Sequence, residues 1–153
     1  MKLIGKSFTE RIVTDQGLDA LLNIMFHGAT QITTWYCYIF ESDSTPDGDE
    51  TYAVPVVTEW QSYDEGTRPE FTEAAADSQS ITNSANKGVF TASATKSLYG
   101  AGLVGGGTGG STKGNTAGGG TLFDLGKFDT AQPVIDGNVV NLTITISAAD
   151  DGA

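Results

Sequence analysis

The chain has 153 residues, enough for one domain with a single core and too few for two substantial domains. It carries 19 acidic and 8 basic residues, which give a formal net charge of −11 and a pI of about 4.2. Because such a surface repels phosphate backbones and anionic lipid, we expect neither a nucleic-acid partner nor a membrane partner.

Residues 1–14 are predicted to form an N-terminal arm or an edge strand ahead of the main domain, which we place at residues 15–149. Three cations in this arm, Lys2, Lys6 and Arg11, are candidate contacts with an acidic partner surface. The arm lacks the continuous apolar run of a signal peptide, and no segment approaches transmembrane length. We therefore expect a soluble protein made in a cytoplasm and not exported through a general secretion route.

One helix is predicted at about residues 16–27, with Asp15 as its N-cap and Gly28 as its stop. Apolar residues recur there at the three- and four-residue spacing of one helical face, at Leu18, Leu21, Leu22 and Met25. We expect this face to dock firmly against the rest of the domain.

The segments that follow predict strands joined by turns. Residues 34–40 are apolar in both alternation phases, which indicates a strand covered on both faces, and residues 41–50 form a polar loop. Residues 56–76 are mixed, and a short helical face could carry Val57, Trp60 and Tyr63.

The second half of the chain alternates more sharply. Strands are predicted from residue 88, at residues 97–104 and 122–128, and at residues 140–148, where Val140, Leu142, Ile144, Ile146 and Ala148 share one face. Residues 150–153 are predicted to fray. The pattern predicts a mainly β, single-domain antiparallel β-sandwich or jelly-roll-like fold with one N-terminal α-helix.

A glycine tract interrupts these strands, with 11 glycines among residues 100–120. Residues 105–110 match the spacing G-x-G-x-x-G, but no apolar helix follows to receive a pyrophosphate. Lys113 is not preceded by glycine, so a P-loop is also excluded. We predict a flexible surface loop at residues 105–120, in which Lys113 is a candidate partner contact.

The acidic residues Asp43, Asp47, Asp49 and Glu50 surround Gly48. They indicate a solvated acidic turn, with a weak calcium site as the alternative, although Thr45 and Val54 occupy two positions where a calcium loop needs ligands. Asp47 and Asp49 are candidate partner contacts.

The sequence gives little support for a catalytic site. His27 and Cys37 are the sole histidine and cysteine, and Cys37 lies in an apolar run, so zinc binding and Cys–His catalysis are disfavoured. No GxSxG elbow is present, and nothing singles out a carboxylate pair. We expect no enzyme activity and no cofactor.

Arg68 stands alone among acids, with Asp64, Glu65, Glu70 and Glu73 nearby in sequence. Two interpretations remain open. One is an intramolecular ion pair that organises the segment after Trp60, and the other is a contact with a partner.

Taken together, these landmarks resemble a family of small bacteriophage virion structural proteins. Members show a W-Y-hydrophobic strand, a Y-x-E-x-x-R-P-like element, an "F…A…IYGAFL" strand pair and a closing strand of alternating hydrophobicity. The matching segments are ALLNIMFHGATQITTWYCYIFESDSTP, VVTEWQSYDEGTRPEFTEA, ITNSANKGVFTASATKSLYGAGLV and GGTLFDLGKFDTAQPVIDGNVVNLTITI. The glycine tract departs from the family, whose related strands are joined by a shorter loop.

The resemblance implies an all-β, jelly-roll-like protein of the phage particle. We expect a capsid decoration or cement protein at the capsid surface, with the major capsid protein and its own copies, as a dimer or trimer, as partners. A tail, neck or fibre-attachment component is the first alternative. A carbohydrate-binding β-sandwich is the second, with Trp35, Trp60, Tyr63 and Tyr99 as stacking rings.

Overall fold

A computed structural model describes residues 8–148, with side chains from residue 12 onward. One helix and eight strands follow in the order β1 (Phe8–Val13), α1 (Asp15–Phe26), β2 (Trp35–Phe40), β3 (Ser80–Thr82), β4 (Gly88–Thr91), β5 (Lys96–Gly105), β6 (Thr121–Val134), β7 (Val139–Leu142) and β8 (Thr145–Ser147). The prediction of a mainly β chain with one helix near the N-terminus is confirmed. Lys2, Lys6 and the tail at residues 150–153 lie outside the described residues.

The main sheet has four strands in the order β1-β6-β5-β2, and two smaller sheets pair β3 with β8 and β4 with β7. All five strand pairings are antiparallel. The long strands β5 and β6 form the centre of the main sheet, and β1 lies at its edge.

Both faces of β2 are covered, as its doubly apolar sequence predicted. Cys37 and Ile39 belong to one core cluster, together with Trp60 and Phe90. The alternate β2 residues, including Phe40, belong to a second cluster that contains Tyr52, Val57 and Leu122. Burial of apolar surface, at about 25 cal/mol per Å², is the main stabilising contribution on both faces.

Residues 56–76 contain no helix. The segment instead runs beside β2, where Trp60 N donates to Ile39 O at 2.8 Å and Phe71 N donates to Trp35 O at 2.8 Å. The predicted helical face is therefore wrong, because pairing with the open edge of β2 satisfies backbone groups that would otherwise be buried without partners.

The closing strand is divided. The predicted alternation is confirmed by the burial of Val140, Leu142 and Ile144. However, β7 pairs with β4 and ends at Leu142, and the next strand, β8, pairs with β3. The three-residue β3 was not predicted, since SIT is too short to show a period.

Helix α1 begins one residue earlier than predicted, and Thr14 rather than Asp15 is its N-cap. The Thr14 Oγ1 accepts from Gly17 N at 3.0 Å and donates to Leu122 O at 2.5 Å. This bridge ties the helix start to β6, and Gly17 is the buried residue of the helix, packed on the backbone of Phe123.

Candidate functional site

The glycine-rich segment between β5 and β6 is folded onto the domain. Thr108 N donates to Gly118 O at 2.8 Å, and Asn115 Oδ1 accepts from Ala117 N and Gly118 N at 3.0 and 2.9 Å. Three of its glycines are buried, namely Gly109, Gly110 and Gly120. The segment is therefore a loop whose backbone packs closely on itself and on the domain, which glycine allows because it has no side chain, and its predicted flexibility stays a prediction.

Arg68 anchors this segment from the neighbouring loop. Its Nε and Nη2 donate to the two carboxylate oxygens of Glu59 at 2.7 and 2.8 Å. Nη1 donates to Gly110 O at 2.8 Å, and Nη2 also reaches Asn115 O at 3.2 Å. The residue is only 2% exposed. A guanidinium group suits this position because it is planar and has five N–H donors. One edge pairs with the carboxylate, and the remaining donors bond to backbone carbonyls.

Arg68 and Glu59 balance each other's charge inside the domain. Burial alone would lower the pKa of Arg68, but the hydrogen bonds and charge of Glu59 raise that pKa above its ordinary value. Glu59 also accepts from Gly114 N at 2.6 Å, so both partners hold the same loop. A partner protein cannot reach Arg68 without opening the loop. Of its two interpretations, the intramolecular ion pair is the one observed, with Glu59 in place of the acids nearer in sequence.

Lys113 also turns inward in part. Its Nζ donates to Tyr63 O at 2.8 Å and lies 4.1 Å from the centroid of the Tyr63 ring, which is a cation–π distance. The residue is half-buried, so part of it remains at the surface. The other candidate cation of the described chain, Arg11, lies in β1 opposite Gly126, and its side chain is outside the described part.

The acidic turn is organised by Glu50, which is buried. Its two carboxylate oxygens accept from Asp47 N at 2.8 Å and Val56 N at 2.9 Å. Asp47 and Asp49 are exposed and remain open to a partner. Across residues 8–148, no group of three or more histidine, cysteine, aspartate or glutamate side chains is arranged to hold a metal ion.

Two of the four rings predicted to stack on sugars are core residues. Trp60 and Tyr63 are buried, with ring centroids 5.2 Å apart, and neither offers a face to solvent. Trp35 is half-buried and packs edge-on against Phe123 at 5.4 Å, and Tyr99 is also half-buried. The aromatic assignment to a carbohydrate site is therefore wrong for Trp60 and Tyr63.

The largest departure from the sequence prediction is the outer face of α1. The residues predicted to dock are exposed, by 52% at Leu22 and by 78% at Phe26 farther along. We name this exposed apolar face the α1 surface, and it consists of Leu18, Leu21, Leu22, Met25 and Phe26. The physical reason is that Gly17, with no side chain, lets the opposite side of the helix approach β6 closely.

An apolar groove of about 320 Å³ lies beside the α1 surface. Ile24 and Met25 line it from the helix, and Trp35, Phe71 and Ile146 line it from the β domain. The sequence contained one signal for this site: residues 20–40 include no aspartate, glutamate, lysine or arginine, although the chain is strongly acidic elsewhere.

No protein-family model and no curated protein matches the chain. The one helix of the described residues is not long and apolar enough to cross a membrane.

Proposed function

We propose that the chain is a structural protein of a bacteriophage particle, most specifically a capsid decoration protein that binds the major capsid protein and stabilises the shell. The observation that carries this proposal is the α1 surface, a contiguous apolar face on an otherwise acidic domain. Exposed apolar patches of this kind mark sites of protein–protein contact. The family resemblance of the four sequence segments supports the same role.

The described architecture suits such a role. A decoration subunit acts by contact area, repeated over many copies, and it stabilises the assembled shell because it binds that state preferentially. The Arg68–Glu59 pair keeps a long glycine-rich segment folded against the domain, so that segment presents a defined surface. We propose a jelly-roll-like sandwich as the finer description of the fold, with the β4–β7 layer packed over the main sheet.

The copy number of the protein in purified particles tests this proposal. A decoration protein is present in hundreds of copies, so its band in a stained gel approaches the intensity of the major capsid protein. A tail, neck or fibre-attachment component forms rings of low copy number and gives a faint band. Absence of the protein from particles that infect normally would overturn both virion roles.

Stripping and rebinding then locates the contact. Particles depleted of the protein are mixed with the wild-type chain, with Leu22→Lys, or with Ile135→Lys as a control at an equally exposed apolar residue outside α1. If the α1 surface meets the shell or holds the bound oligomer together, Leu22→Lys loses binding while Ile135→Lys keeps it. Equal binding by both variants would move the contact elsewhere.

A further inference from the structure

Helix α1 is apolar around most of its circumference. Gly17, Ala20 and Ile24 face the β domain or the groove, while Leu18 and Leu22 point the other way. A helix with apolar residues on opposite sides is typical of a buried position between two packing partners. Within the described residues, the helix packs on one side only, chiefly against β6. The described residues leave its other apolar side uncovered.

The exposed area fits the centre of a stable contact. The five side chains of the α1 surface expose on the order of 500 Å² together, at the upper end of what a typical monomer leaves in one patch. A standard interface buries about 800 Å² on each partner, so an interface centred on the α1 surface would extend over the adjoining groove and residues 27–33. No other part of the described chain carries such a group, since the remaining large exposed apolar residues are Val54, Val56, Val89 and Ile135.

The charge distribution favours a second copy of this chain as the occupant of the α1 surface. Two copies of a chain with net charge −11 repel each other, and close contact between them is least costly where neither carries charge. Residues 20–40 are free of aspartate, glutamate, lysine and arginine, and residues 21–31 are all exposed except Ile24. A surface selected for a basic partner would carry acids at its centre, whereas the α1 surface carries none and the groove beside it is lined by one, Glu73.

We propose that the α1 surface is a two-fold interface between two copies of this chain, with the two α1 helices antiparallel. A two-fold contact places each patch against itself. With the axis near Leu22, Leu18 of one copy lies opposite Phe26 of the other. Asp15 and Asp19 of one helix then lie near the C-terminal end of the other helix, which carries no acids. The antiparallel arrangement also sets the two helix dipoles in opposite directions, which is favourable.

Sedimentation equilibrium or light scattering of the purified full chain tests the stoichiometry. We expect a dimer for the wild type and for Ile135→Lys, and a folded monomer for Leu22→Lys, with circular dichroism confirming that both variants keep the fold. Raising the salt concentration strengthens the dimer, because it screens the like charges of the two copies. A wild type that stays monomeric at high concentration, or a trimer, overturns the proposal.

Cysteine crosslinking tests the antiparallel geometry. Cys37 is buried and does not compete. Leu22→Cys forms a disulfide with its own copy, because two cysteines near the axis come within the 4.4–6.8 Å that Cα atoms of a disulfide allow. Leu18→Cys mixed with Phe26→Cys gives the crosslinked heterodimer, while Leu18→Cys alone does not crosslink. Crosslinking of Leu18→Cys alone would indicate parallel helices and overturn the geometry.

This inference deepens the proposed function and rests on it for its biological setting, but the two fail separately. A monomeric chain found in high copy number on particles keeps the decoration role and moves the α1 surface to the shell contact. A dimer that is absent from particles keeps the interface and removes the decoration role.

Discussion

Arg68 and Glu59 form a two-point ion pair inside the domain, and the donors of Arg68 that remain hold the glycine-rich segment through Gly110 O and Asn115 O. Glu59 and Arg68 lie nine residues apart, and their hydrogen bonds join this stretch to a segment more than 40 residues further along the chain. This arrangement converts a segment of unusual backbone freedom into a folded part of the structure, since a buried guanidinium requires acceptors in fixed places.

Breaking this pair is expected to be costly. Arg68→Met leaves the Glu59 carboxylate buried without its cation, and the free energy of unfolding should fall by about 3–5 kcal/mol. Urea denaturation measures the loss. The matched control is Lys96→Met, which breaks the partly exposed pair with Glu41 and should cost at most about 1 kcal/mol. Equal losses in the two variants would show that Arg68 does not organise the core.

Two loop glycines should respond differently to alanine. Gly107 and Gly119 both have left-handed backbone, with φ of 62° and 68°. A Cβ at Gly119 meets nothing within 4 Å, so Gly119→Ala should lose only the 1–2 kcal/mol or so of the backbone conformation. A Cβ at Gly107 overlaps Gly118 O and lies 2.6 Å from Gly120 N, so Gly107→Ala should cost clearly more. Thermal unfolding compares them, and identical midpoints would mean that the segment is loosely held.

The buried tyrosines predict a loss of stability at alkaline pH. Burial, followed by the charge of Glu59, raises the pKa of Tyr38 and Tyr63 above the ordinary value. Below about pH 10 both the folded and the unfolded chain keep these protons, so the stabilisation is fully present. Above it, only the unfolded chain releases them, and the free energy of unfolding falls by up to about 1.4 kcal/mol per pH unit for each tyrosine.

Tyr63→Phe separates this effect from general alkaline denaturation. The Tyr63 hydroxyl has no hydrogen-bond partner among the described residues, so its removal should cost little at neutral pH. Above about pH 10, the free energy of unfolding of Tyr63→Phe should fall less steeply with pH, by the contribution of one tyrosine. Denaturant titrations at neutral and alkaline pH measure both quantities, and an unchanged slope would assign the alkaline loss to other groups.

Gly17 should be intolerant of alanine although it lies in a helix. Alanine normally stabilises a helix by about 1 kcal/mol relative to glycine. Here a Cβ would lie 2.9 Å from the Cα of Phe123, so Gly17→Ala should push α1 away from β6 and lower the unfolding temperature. Asn23→Ala, on the exposed side of the same helix, should raise that temperature slightly. A stabilised Gly17→Ala would show that α1 does not dock closely.

The sequence by itself determined the elements with strong periodicity. The helix, the doubly covered β2 and the alternation of Val140, Leu142 and Ile144 were all predicted, because burial follows local period where a segment has one clear inner face. It also showed that Arg68 was a lone cation among acids, and that residues 20–40 carry no aspartate, glutamate, lysine or arginine.

Only the tertiary structure decided what those features do. Periodicity shows that α1 has an apolar face but not which side meets the sheet, and close packing at Gly17 turned the larger side chains outward. Composition indicated a flexible glycine loop but not that its backbone groups bond to Glu59 and Arg68, which lie outside the segment. In both cases the deciding contact joins residues distant in sequence, which local pattern does not encode.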